Sequence, residues 1–512
     1  MFYRDWKWIF LGMVLLVVLC FSTPGMAQQS AGILRVGWGT DSSNLDPALQ
    51  MGLVEGSVIS HVIETLITLD PKDLSLKPLL AKKWVMLDDK TYQFFLQEGV
   101  TFHDGTPLDS EAVKYSLERF IAPETRSPRA FYLNMIDKIK GVNKYTVQIT
   151  LKYPFAPFLQ NISYYGGAIV SPKAAKELGL KNFGNQIVGT GPFKFKEWKR
   201  GEQIVLTRNE NYWGKRSALK EIWLKVIPEE STRVIALETK AIDMAVDVPA
   251  QDADRLKANP DIYLATVDNL RTVYIGLNAK VKPFDDVRVR SAVNYATNVA
   301  EIVNALFGKY AVVANSVMNP KVFGGKGYPL KYDPAKAKEL LAKAGFPNGF
   351  STTMYTTLGR YPKDREIATL VASQLEQVGI RINLEVLEWA AYMSKLSSRN
   401  YAGMTLYGWG NPTGGPDTFL YPSFHSSQYQ SNKNLAHYNN PEVDRLLDEA
   451  RKTPNLEGQR KIYHRVMDII QEDRPWIPIY YPVNIFGMRN YVKGFVPSPT
   501  EITVFDDVYM TQ

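Results

Sequence analysis

Hydrophobic and polar positions follow two rhythms along this chain. From Ile33 to Pro228 the main one has period two, that of half-buried strands, over Ile33–Trp38, Tyr92–Leu96, Tyr145–Leu151 and Glu221–Pro228. It is clearest in Val188–Gly214, where Phe193 and Phe195 alternate with Lys194 and Lys196. Lys199–Glu202 turns the chain and Ile204 and Leu206 resume the alternation, predicting a β-hairpin. Val113, Leu117 and Phe120 instead recur at helical spacing behind a capping Asp109 or Ser110. From Val273 onward the two rhythms alternate, which predicts an α/β domain. Asp333 and Pro334 open a helix with Ala337, Leu340, Leu341 and Ala344 inward, and Gly345 ends it. Ser351–Thr357 is a strand, and Ile367, Leu370, Val371, Leu375 and Val378 line a helix that Gly379 stops. Ile380, Ile382, Leu384 and Val386 alternate as the next strand. Asn440–Pro441 starts a helix with Val443, Leu446, Leu447 and Ala450 inward, and Trp476–Tyr481 recrosses toward the first part.

The N-terminus has a different texture. Arg4 and Lys7 precede an apolar run from Ile9 to Phe21, and Gly25-Met26-Ala27 follows. This reads as a secretory signal cleaved after Ala27. The run is shorter than the ~20 residues of a membrane-spanning helix, and Val17-Val18-Leu19 lacks the small residue that precedes a lipoprotein cysteine. Cys20 is the sole cysteine, so residues 28–512 carry no thiol, which excludes thiol catalysis and thiolate ligation from the mature chain. A length of 512 residues implies two or three domains. The 60 basic and 52 acidic residues are interspersed, so the net charge of +8 reads as a solvated surface rather than a nucleic-acid face.

Motifs of catalysis are missing: there is no Gly-x-Ser-x-Gly, His-Glu-x-x-His, Walker A loop or Gly-x-Gly-x-x-Gly. The histidines His61, His103, His425, His437 and His464 lack metal-site spacing. His103 beside Asp104 reads as part of a Gly turn. No enzyme, cofactor or metal is therefore expected. A binding site is better supported. Leu358–Pro362, Glu388–Trp389 and Tyr407–Asp417 are aromatic or charged clusters at the ends of successive strands, where open α/β sheets collect ligands. Trp389 and Trp409 offer rigid walls and Arg360 a planar fork for a carboxylate. The structural alternatives are Trp389 in the core and an ion pair of Arg360 with Asp364.

Several strings are close to verbatim matches to a known family. They are Val188–Gly214, the Leu45-Asp46-Pro47 loop, Val62–Leu66, Pro78–Trp84 and Phe102-His103-Asp104-Gly105. With them the chain resembles the family-5 extracellular solute-binding proteins, peptide and nickel receptors of ABC importers. The resemblance implies an α/β, periplasmic binding protein type II-like fold, with two lobes, an additional inserted domain and a hinge. Domain I would take residues 28–75, 188–272 and 485–512, domain II 76–187 and domain III 273–484. It also implies a periplasmic monomer that captures a di- or oligopeptide or a related solute. That solute would go to an inner-membrane permease with a cytoplasmic ATPase. A non-peptide solute (opine, glutathione, sugar, metal chelate) is the alternative, and a secreted hydrolase the rival from another class.

By the same resemblance Arg360 holds a ligand carboxylate, Trp389 lines the pocket, and Tyr480 or Tyr481 closes it. Asp41 lies on a loop near the ligand. An Asp a few residues past the Gly-Trp of Trp409 takes an α-ammonium in peptide-binding members, but Pro412 stands there, and the first carboxylate is Asp417. Asp417 either takes over the ammonium or caps the helix after Pro416.

Overall fold

The computed structural model describes residues 32–50, 52–399, 401–431 and 433–511. The expected signal segment and Cys20 lie outside them. Buried apolar residues fall into two groups, residues 34–262 with 485–508 and residues 270–480, and these define two lobes. One long strand, Trp476–Arg489, belongs to both. Its first half pairs with Thr272–Leu277 and Ala311–Val313, its second with Met244–Ala245 and Ile262–Asp268. The sheets of the two lobes are thus continuous through a shared strand.

In the first lobe the order runs Met244–Ala245, Ile33–Trp38, Glu221–Val226, Gln203–Arg208, Phe193–Lys199, with Ile33–Trp38 parallel to both neighbours. The hairpin expected over 193–208 forms, with a bulge between Phe195 and Glu197. A separate antiparallel sheet orders Ala81–Asp88, Thr91–Leu96, Thr146–Leu151 and Ile136–Asn143. The helix Ser110–Ile121 buries Val113, Leu117 and Phe120, and Asp109 accepts from Ala112 N at 2.9 Å as its cap. In the second lobe Ile380–Leu387, Phe350–Thr357 and Met404–Trp409 run parallel, followed by Thr272–Leu277.

The segment before the hairpin is a structural hub. Cβ atoms at Gly189 and Gly191 would lie 2.2 Å from Val62 O and 2.5 Å from His61 O, so only glycine lets this chain touch the end of helix Leu53–Val62. His103 bridges the same loop, N to Gly189 O at 2.8 Å and Nε2 to Gly191 O at 2.9 Å. Asp104 accepts from Thr106 N at 3.0 Å and from the Ser171 hydroxyl. The His103–Asp104 pair is a turn, as its sequence suggests. The Glu64 carboxyl closes the hub, accepting from Thr190 Oγ1, Tyr212 OH and Trp213 Nε1 at 2.7, 2.7 and 2.9 Å.

Candidate binding cleft

Register sets which side chains share the aromatic face of the second-lobe sheet. Tyr274 lies opposite Tyr407 and Thr272 opposite Trp409 across an antiparallel pair, so these four side chains share one face. The alternate residues Val273, Ile275, Leu277 and Leu406 pack the core behind. Tyr274 stacks on Trp476 at 3.4 Å. Tyr407 stands 6.1 Å from Tyr361, 6.2 Å from Trp389 and 6.5 Å from Trp409. The result is an aromatic platform at the C-terminal ends of Phe350–Thr357, Ile380–Leu387 and Met404–Trp409, the edge where ligands collect in such sheets.

Arg360 projects beside this platform. Its guanidinium carbon is 5.0 Å from the Tyr361 ring and 5.2 Å from the Trp389 ring, both within cation–π range. The side chain is exposed and makes no ion pair among the described residues. Asp364, the alternative partner, turns its carboxylate elsewhere. It accepts from Gly359 N, Arg360 N and Tyr361 N at 3.2, 3.0 and 3.3 Å, and from Thr357 Oγ1 at 2.7 Å. Asp364 therefore builds the loop that presents Arg360 and leaves the guanidinium free. Trp389 is half-buried and stacks on Tyr392 and Tyr407 rather than lying in the closed core. Trp409, also half-buried, donates Nε1 to Thr418 O at 3.3 Å.

Three other candidates have their polar atoms engaged by the protein. The Asp41 carboxylate accepts from Trp198 Nε1 at 3.0 Å and Gly201 N at 2.7 Å, tying its loop to the hairpin turn. Tyr481 is buried and donates to Ser316 O at 2.9 Å, while its neighbour Tyr480 packs 4.7 Å from Phe307. Asp417 starts the helix Asp417–Phe424 but makes no capping bond. It is buried and receives Arg451 through Nε at 2.6 Å and Nη2 at 3.2 Å, a bidentate pair that neither sequence alternative contained. Arg451 also stacks on Tyr421 at 3.1 Å, and its carbonyl accepts from Ala156 N of the first lobe at 2.7 Å.

Residues with no sequence signal complete the surroundings. Lys433 reaches from the second lobe over the Phe131 ring of the first at 3.4 Å. Burial, then Arg129 and Arg451, push its ammonium down to about 8. Arg129 itself is ringed by Tyr132, Tyr164 and Tyr165. Where the lobes join, Arg271 forks onto Glu501 with two bonds of 2.8 Å and donates to Gly408 O at 2.9 Å. Asp247 follows the first-lobe strand Met244–Ala245 and lies within the field of Arg360 of the second lobe. Each is a single charged residue between regular elements, and only the fold brings it near the other lobe or its own partners.

Comparisons with known proteins show the family and the fold. The model of the bacterial extracellular solute-binding proteins, family 5, matches residues 75–431. The glutathione-binding protein GsiB of Escherichia coli (strain K12) is 31% identical over 96% of this chain and 98% of its own. Among solved structures, the ABC transporter-associated periplasmic binding protein DppA from Helicobacter pylori, in complex with the peptide STSA, superposes with a TM-score of 0.85. It is 29% identical, and the match covers 94% of this chain and 98% of that one. A dipeptide binding protein from Pseudoalteromonas sp. SM9913, in complex with Met-Leu, gives a TM-score of 0.85 at 25% identity, covering 94% of this chain and 100% of that one. With a family match over most of its length, an aligned relative and a shared two-lobed fold, the chain belongs to the family-5 bacterial extracellular solute-binding proteins.

Proposed function

We propose that this protein is the periplasmic receptor of an ABC importer, which captures a peptide or peptide-like solute between its lobes and delivers it to the permease. The function is binding and release, without turnover. One observation carries the ligand class: an exposed guanidinium, framed by Tyr361 and Trp389, with its neighbouring carboxylate diverted to the backbone. Such a group suits a ligand carboxylate, and the relatives' bound STSA and Met-Leu both carry one. GsiB extends the range to glutathione. Trp389 and Trp409 supply walls for the apolar part of the solute. The Trp476–Arg489 strand and the crossing from Asp268 to Thr272 are the connections about which the lobes hinge. Processing after Ala27 would release the protein to the periplasm.

Calorimetry with Met-Leu and with glutathione tests the role of Arg360. Replacing Arg360 by Ala removes the fork and should cost the bound probe about 2–5 kcal/mol. Lysine restores the charge but not the bidentate geometry, so Arg360→Lys should recover part of the loss. Unchanged affinity in Arg360→Ala would leave Arg360 with a structural role only.

A further inference from the structure

With Asp417 occupied by Arg451, the amine of a zwitterionic solute has no partner on the second lobe at the expected place. The first lobe holds a carboxylate with unusual support. Asp247 follows the short strand Met244–Ala245, at the same edge where Ile33–Trp38 ends. Its backbone is left-handed, φ +55°, a conformation costly for a residue other than glycine. The strain is held from both sides: Val246 N donates to Gly37 O at 3.1 Å and Val248 N to Ile485 O at 2.9 Å. Arg233, fully buried, fixes the turn by donating to the carbonyls of Val246, Ile227, Pro228 and Asp247 at 3.2, 2.8, 2.9 and 3.2 Å. None of these bonds reaches the Asp247 carboxylate.

An aspartate tolerates this conformation when its side chain bonds locally. Asp247 does not: its carboxylate makes no hydrogen bond and no ion pair among the described residues, and solvent reaches it. The turn therefore leaves the carboxylate itself unengaged. Locally strained, over-determined residues of this kind cluster at functional sites. The charged groups that act on Asp247 are Arg233, Glu230 and Glu501 from the first lobe, and Arg360 from the second. Arg233 is spent on carbonyls and Glu501 on Arg271. Asp247 and Arg360 remain, on opposite lobes and beyond ion-pair distance of each other.

We propose that Asp247 binds the ammonium of the captured solute while Arg360 binds its carboxylate, so that a zwitterion bridges the two lobes. This rests on the solute-binding reading and narrows it. The ligand class is one that carries both a free amine and a carboxylate: a peptide, a γ-glutamyl peptide or an amino-acid conjugate. Bridging would also couple recognition to closure, since a solute lacking either charge engages one lobe only.

The test uses Met-Leu and glutathione, each with its N-acetylated counterpart, on the wild-type protein, Asp247→Asn and Arg360→Ala. For at least one pair the wild type should prefer the free amine by about tenfold or more. Asp247→Asn should abolish that preference by weakening the free amine alone, with the acetylated probe unchanged. Solvent reaches this carboxylate, but desolvation by the protein packed around it, with Glu501 and Glu230, raises its pKa to about 6, against Arg233 and Arg360. The wild-type preference should therefore fall between pH 7 and pH 5 as the carboxylate takes up a proton, and Asp247→Asn should show no such fall. A preference that persists in Asp247→Asn overturns the proposal, as does equal wild-type affinity for both members of each pair, or binding of none of the four. If acetylated probes bind and still require Arg360, the solute-binding reading stands and only the role of Asp247 falls.

Discussion

Replacing Glu64 by Ala should destabilise the first lobe more than any single change in the cleft. It orphans the buried Thr190 Oγ1, at a cost of about 1–3 kcal/mol, and leaves the half-buried Tyr212 OH and Trp213 Nε1 without their acceptor. The same group gives a pH signature. Burial raises the Glu64 carboxyl to about 7, against the three donors that favour its charged form. The folded state therefore holds a proton that the unfolded chain releases near the ordinary carboxyl value. Its contribution is fully present below about pH 4.5, is lost between 4.5 and 7, and stays lost above 7. The loss is on the order of 3 kcal/mol. Glu64→Gln cannot ionise, so the wild-type minus Glu64→Gln difference in urea denaturation should fall by that amount over this range. Groups that Glu64 does not act on, including His61 and His103, whose pKa values are held down to about 4 chiefly by burial, cancel in the difference, while Asp506 and Tyr212, which feel the Glu64 charge, respond together with it. A flat difference would mean that Glu64 titrates as in the unfolded chain.

Arg451→Ala should cost about 3–5 kcal/mol, because it leaves Asp417 buried without its cation. Part of that loss is the uncompensated charge, so Asp417→Asn should restore stability when added to Arg451→Ala while costing some in the wild type. The Arg451 guanidinium also lies over the Phe155 ring of the first lobe, a contact that the single variant removes, so it should loosen closure as well. Denaturant titration of the four proteins reads the cycle. A neutral Arg451→Ala would show that Asp417 does not depend on Arg451, and would return it as a candidate for a ligand's ammonium.

Much of the fold is legible in the sequence because periodicity and caps act locally. Asp109, Asp333 and Asn440 cap helices where their spacing places them, and Ile380–Leu387 is the strand its alternation predicts. The string at Val188–Gly214 stands out for a structural reason: its glycines and aromatics lock the hub around Glu64. The candidate site is legible only where a strand ends in an aromatic or a fork, as at Trp389 and Arg360. Spacing alone suggests an ion pair between Arg360 and Asp364, as for neighbours one helical turn apart. The helix begins only at Asp364, however, and its carboxylate folds back onto the preceding N–H groups. The Asp417–Arg451 pair is created by packing two helices whose pairing no local pattern records. Asp247 is hidden for the opposite reason, being one acid in a short loop whose meaning lies in a carbonyl-binding arginine and a charge on the other lobe.

The central claim is that a small carboxylate-bearing solute sits between the lobes and leaves unchanged. Native mass spectrometry of the protein purified from periplasm tests it most directly, followed by identification of what denaturation releases. The expected result is a one-to-one adduct of an intact amine- and carboxylate-bearing molecule, depleted in Arg360→Ala. A protein that carries no solute, or that releases only cleaved fragments of an added peptide, would contradict it.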